Sequence, residues 1–170
     1  MAREAIEIGI VIERRRLKHP WADPAWLPVA VLPGAAAAAP WTVLDDGPEA
    51  TRFYAGAQQI EFNASDTGTY RDNLRSGRPS LWVALCFTDV EPGIEVQIVT
   101  ADPSEGEALT ETGTLIVEAV AMPVEIGERL AAFVEAHHVE RAFTKRKRDR
   151  ADPEAMALRP RGRGGAKEGE

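Results

Sequence analysis

Isoleucines at positions 6, 8, 10 and 12 alternate with Glu7, Gly9, Val11 and Glu13, the period of two that a strand with one buried face requires. This pattern predicts a strand over residues 5–17, closing on Arg14, Arg15 and Arg16. Two prolines exclude regular structure from His19-Pro20-Trp21-Ala22-Asp23-Pro24. A second apolar run, 26–32, contains Pro28, which cannot donate to a ladder and so suits an edge or bulged strand. Pro33-Gly34 reads as a turn. The alanines at 35–39 are too few for a stable helix between Gly34 and Pro40 and read as a flexible loop. Residues 41–44 suggest a short strand before the turn Asp45-Asp46-Gly47-Pro48. Residues 52–63 read as extended, with Tyr54, Gln58, Ile60 and Phe62 as one alternating set and a bulge near Ala55-Gly56-Ala57.

The period then lengthens. Ser65 or Asp66 offers an N-cap, Tyr70 and Leu74 form one ridge of a short helix, and Gly77 would end it. Residues 80–88 are nearly all apolar, as in a central strand covered on both faces. The turn Val90-Glu91-Pro92-Gly93 leads into 94–100 as a hairpin. Asp102-Pro103-Ser104-Glu105 is a helix start with an Asp cap and proline at the first position, and the helix runs to about Glu111 before Gly113. A last strand covers 114–121. After Pro123, Ile126, Leu130, Phe133 and Val134 make a stripe at 3.6-residue spacing that fades near His137 and His138. The expected fold is α+β: an antiparallel or mixed sheet of about six strands with three short-to-medium helices on one side.

Charge divides the chain. The net charge is −7, yet residues 141–170 hold ten Lys/Arg against five Asp/Glu, net +5, and residues 1–140 hold ten against twenty-two, net −12. The block Lys145-Arg146-Lys147-Arg148-Asp149-Arg150 and the Arg/Gly run 159–165 have little apolar surface to offset ordering entropy. One domain over 1–143 and a disordered basic tail over 144–170 are therefore expected. No apolar run approaches the ~20 residues of a membrane span, and acidic residues among the first isoleucines are unlike a signal peptide. With one cysteine, Cys86, no internal disulfide forms, and a reducing cytoplasmic setting is the simplest expectation.

Candidate chemistry is sparse. Zinc needs three or four converging ligands, but adjacent His137 and His138 point about 100° apart on a helix and His19 is distant. Cys86, between Leu85 and Phe87, reads as a small core residue rather than a nucleophile. Glu61, Asp66 and Asp72 could converge near the first helix beside a polar face of Tyr70, Arg71 and Asp72, but solvated helix faces explain the same residues. Phosphate-cradling glycine loops and hydrolase signatures are absent. No catalytic, cofactor-binding or metal residue is assigned, and no cofactor is expected. Trp21, Trp26 and Trp41 lie in or beside loops around an edge strand. They would either cap the core or anchor a protein interface. Partner-binding candidates are Trp21 and Trp26 with Lys145, Arg146, Lys147, Arg148 and Arg150 of the tail, which would dock in an acidic protein groove or bind phosphate backbones.

A set of stretches carries a resemblance: 10–15 with His19-Pro20-Trp21, 26–34, 53–56, 70–74, 79–83, 117–123, and 133–139 with 143–150. Together they resemble an uncharacterised proteobacterial family of unknown function whose genes lie beside molybdenum-dependent formate dehydrogenases. The resemblance covers roughly 5–150 and brings no assigned functional residues. It implies a non-catalytic accessory protein, maturation-related or chaperone-like, or a small subunit of a formate dehydrogenase system. The expected partner is a formate dehydrogenase subunit or maturation factor, with no membrane partner. The alternative is a nucleic-acid-binding or regulatory protein acting through its basic tail.

Overall fold

A computed structural model describes residues 1–140, and seven strands and three helices lie among them. The strands are β1 (Arg3–Arg15), β2 (Ala25–Pro33), β3 (Thr42–Asp46), β4 (Ala50–Asn63), β5 (Ser80–Phe87), β6 (Ile94–Thr100) and β7 (Ile116–Ala121). The helices are α1 (Thr67–Arg75), α2 (Pro103–Glu111) and α3 (Val124–His137), and a 3-10 turn, Ala64–Asp66, precedes α1. The fold is α+β. Instead of one sheet of about six strands there are two, both antiparallel, in the orders β2-β1-β4-β3 and β6-β5-β7.

Their inner faces share one core. Ile8, Ile10, Ile12, Ile60 and Phe62 of the first sheet meet Leu81, Val83, Leu85, Val99 and Val120 of the second. The α3 stripe of Ile126, Leu130, Phe133 and Val134 completes it, every member buried as its spacing predicts. Arg129, on the outer side of α3, ties the helix to β1 through Glu4. The outer face of the second sheet is covered by α2, where Gly106 lies directly under the Trp82 indole. A Cβ on Gly106 would come within 2.3 Å of Trp82 Cγ, so only glycine permits this approach. The Asp102 cap accepts the Ser104 N–H at 2.9 Å, and Pro103 occupies the first turn.

The first sheet differs from a simple one-faced strand pattern. From Ile8 to Glu13 both faces of β1 are buried. The cause is a bulge at Ala55: Gly56 pairs with Ile10, but Tyr54 pairs with Val11. Directly paired residues share a face, so the extra residue carries Tyr54 to the side opposite Ile60 and Phe62, whereas alternation alone puts all three on one side. There the Tyr54 ring crosses Gly9, and its hydroxyl accepts the Ala36 N–H at 3.0 Å. Pro40 packs over Gly56. The alanine loop is thus a tied cover for the second face. Pro28 sits on the sheet edge as expected, beside a bulge at Val29.

Candidate functional site

The features most unlike ordinary packing gather where β1 turns into β2. Arg14 pairs with Trp26 across the hairpin, and Phe53 of β4 pairs with Ile12 on the same face. Trp26, Phe53 and Trp41 form a mutual cluster, with centroid separations of 6.1 Å for Trp26–Trp41, 5.9 Å for Trp26–Phe53 and 6.0 Å for Trp41–Phe53. The Arg14 guanidinium carbon lies 5.7 Å from the Trp26 centroid and 5.2 Å from that of Phe53. A cation over two ring faces is held electrostatically by their quadrupoles while its in-plane N–H groups remain available. Trp41 adopts φ +69°, and its N–H donates to Tyr54 O at 2.5 Å.

On the opposite face of β1, Glu13 is 5% exposed. It accepts from Arg15 Nε at 2.5 Å and from Arg52 Nε at 2.9 Å. These two guanidinium hydrogen bonds hold its carboxyl below the usual range against the opposing effect of burial.

Beyond this base the hairpin tip carries Arg16, Leu17, Lys18 and the two-proline loop. Trp21 N–H donates to His19 Nδ1 at 3.4 Å and Ala22 N–H to His19 O at 3.1 Å, forming a turn. Trp21 itself is 88% exposed, whereas Trp26 is 8% exposed. Of these two docking candidates, Trp26 is a packing residue that presents little surface, and Trp21 alone stands free. Of the two roles open to loop tryptophans, Trp26 and Trp41 take core packing. Lys145, Arg146, Lys147, Arg148 and Arg150 lie outside the described residues, as does the expected tail from 144 onward.

The other candidates are dispersed. His138 Nδ1 lies 3.1 Å from Thr67 Oγ1, and the His137 ring packs at a tilt against Phe133. Among the described residues no three His, Cys, Asp or Glu side chains group as metal ligands would. Glu61 pairs with Arg3, and Asp66 accepts from the Ser65 hydroxyl without capping α1 through its side chain. Tyr70 is buried rather than part of a polar face, its hydroxyl accepting the Asn63 N–H at 3.2 Å. Asn73, a buried polar residue of α1, bonds Ser80 at both N–H and carbonyl and the Ala101 carbonyl. Cys86 is half-buried rather than in the core. Its thiol lies 3.4 Å from Glu95 Oε1, and burial, then the neighbouring carboxylate, push its pKa up, opposite to what a nucleophilic thiolate requires.

Residues 7–147 match the family described as "Protein of unknown function (DUF3305)". The chain belongs to this family. The match runs from within β1 through all later strands, all three helices and the hairpin tip, and it reaches into the basic block at Lys145–Lys147. No curated protein and no solved structure matches the chain. Among the described residues no helix is long and apolar enough to cross a membrane.

Proposed function

We propose that the protein is a non-catalytic accessory protein, maturation-related or chaperone-like, or a small subunit, of a molybdenum formate dehydrogenase system. It acts in the cytoplasm by docking on a protein partner through the β1–β2 tip. The observation that carries docking is Trp21, an indole 88% exposed on a hydrogen-bonded turn. Rigid aromatic side chains of this kind are favoured interface anchors because burying them gains much area for little entropy. The choice of partner rests on the sequence resemblance.

Affinity capture on a tagged formate dehydrogenase tests the reading. Enrichment of the wild-type protein, and its loss with Trp21→Ala, support it. No enrichment, together with unchanged molybdenum content of the enzyme after deletion of the gene, would sink it.

A second reading, nucleic-acid binding, draws on the basic tail together with Arg14, Arg15, Arg16 and Lys18. It requires binding that weakens steeply with salt and disappears on removal of residues 144–170. Against it stands the net −12 of residues 1–140, which repels an extended polyanion.

A further inference from the structure

The β1–β2 tip bounds a groove of 310 Å³ lined by Arg14, Arg16, Leu17, His19, Pro20 and Pro24, and among the described residues no carboxylate lines it. Arg3, Arg15, Arg52 and Arg129 each have a glutamate partner. Among the described residues Arg14 and Arg16 have none: Arg14 rests on aromatic faces, and the Arg16 side chain reaches the Pro48 carbonyl, at 3.5 Å. Two arginines that make no ion pair among the described residues therefore line one groove, and Arg16 also borders a second pocket, lined by Glu13 and Glu49. The loop's own acid, Asp23, does not line it. Arg14 is immobilised by its stack, so a ligand meets a donor array already positioned, and less freedom is lost on binding. Leu17, Pro20 and Pro24 supply apolar walls; Leu17 is half-exposed, and Trp21, which follows Pro20 in the chain without lining the groove, is exposed.

We infer that this groove takes a short acidic peptide segment of a protein partner, its carboxylates on Arg14 and Arg16 and an apolar side chain against Leu17 and Trp21. Charge complementarity selects the acidic segment, because a guanidinium fork matches a carboxylate bidentately. The acidic body favours a compact ligand over a long polyanion, which would extend across repelling surface. The inference rests on the docking reading above and specifies its chemistry.

The test uses the full-length protein and a fluorescein-labelled peptide, acetyl-Glu-Glu-Leu-Glu-Glu-Leu-amide, followed by anisotropy. The peptide binds the wild type, and binding weakens with added salt. Arg16→Glu and Trp21→Ala each weaken it at least about tenfold. Arg16→Lys recovers part of the affinity, and Arg75→Glu on α1 leaves it unchanged. Unaltered thermal melts of the variants show that folding is not the cause. Absence of peptide binding, equal binding by the Arg16→Glu protein, or tighter binding of oligothymidylate through the same residues overturns the inference. The two readings separate cleanly. Capture on formate dehydrogenase that survives Arg16→Glu removes the groove and keeps the partner. Peptide binding without capture removes the partner and keeps the groove.

Discussion

The base and the tip of the β1–β2 hairpin use the same residue types for opposite ends. At the base, Arg14 and Trp26 face each other across the ladder and are closed in by Phe53 and Trp41. Only five residues before Trp26 along the chain, Trp21 stands in solvent on a turn made by His19 and Ala22. Sheet register makes the difference. A residue paired in the ladder is committed to a face, and the inner face of the first sheet is where the core lies. A residue between two prolines has no ladder to commit it. Arginine and tryptophan therefore stabilise at the base and remain available at the tip.

The largest expected break in this comparison is at the base. Trp26→Ala removes the centre of the aromatic cluster from a site that is 8% exposed, and the resulting cavity costs about 3–5 kcal/mol. A thermal melt or urea titration reads this directly. A loss under about 1 kcal/mol would show that the cluster is loosely packed and that the base resembles the tip.

Next is Glu13, the carboxylate under the base. Glu13→Gln keeps the shape but loses the charge-assisted bonds from Arg15 and Arg52, at a cost of about 1–3 kcal/mol near neutral pH. The pH dependence follows from the sign of the shift. The folded-state pKa lies below the ordinary value of 4.5, so the stabilisation is fully present above that value and is lost as pH falls through the folded pKa. The difference in melting temperature between wild type and Glu13→Gln therefore shrinks as pH is lowered below 4.5. A difference that stays constant from pH 7 into that range would show that the two arginines do not hold the carboxylate in its charged form.

The elements that local chemistry decides were readable along the chain. The Asp102 cap with Pro103, the stripe of α3, the hairpin joining β5 to β6, and the edge position of Pro28 all depend on residues close in sequence. The Ala55-Gly56 bulge was readable too, yet its consequence was not: one inserted residue reverses which face Tyr54 joins. The base of the hairpin was hidden for a related reason. Arg52 meets Glu13 across 39 positions, and Phe53 meets Trp26 through a third strand, contacts that only register creates. Glu13, an acid set directly before three arginines, was the one local sign of that site. The division into two sheets was hidden because no local pattern tells whether β5, which follows α1, pairs with β4 or starts a sheet of its own. The sequence sets Trp21 in a two-proline loop and Trp26 at the head of an apolar run, but the burial of Trp26 depends on Phe53 and Trp41, which only the fold brings to it.

A smaller effect tests what the stacked cation contributes. Arg14→Leu keeps apolar cover over Trp26 and Phe53 while removing the charge, and its expected cost is about 0.5–1 kcal/mol. It should also weaken binding of the acidic peptide, so stability and affinity fall together. Arg16→Glu should separate them, with affinity lost and the melt unchanged. Equal stability effects for the two substitutions would erase the distinction between a cation held by the base and one offered by the tip.

The smallest expected effect is the sharpest test of the tip. Trp21→Ala should change stability by no more than about 0.5 kcal/mol, because the 88%-exposed indole leaves little contact to lose. Its fluorescence supplies a second readout. The protein has four tryptophans, and the indole of Trp26 is buried in the core cluster. Trp21 should provide the red-shifted, iodide-quenchable part of the emission, and the Trp21→Ala difference spectrum should isolate it. Addition of the acidic peptide should then shield that component from iodide, because in the inferred pose an apolar side chain of the peptide lies against Trp21. Quenching that persists undiminished at saturating peptide would place the peptide elsewhere. A marked loss of stability in Trp21→Ala would mean instead that the indole packs against the body, and that Trp21 belongs with Trp26 after all.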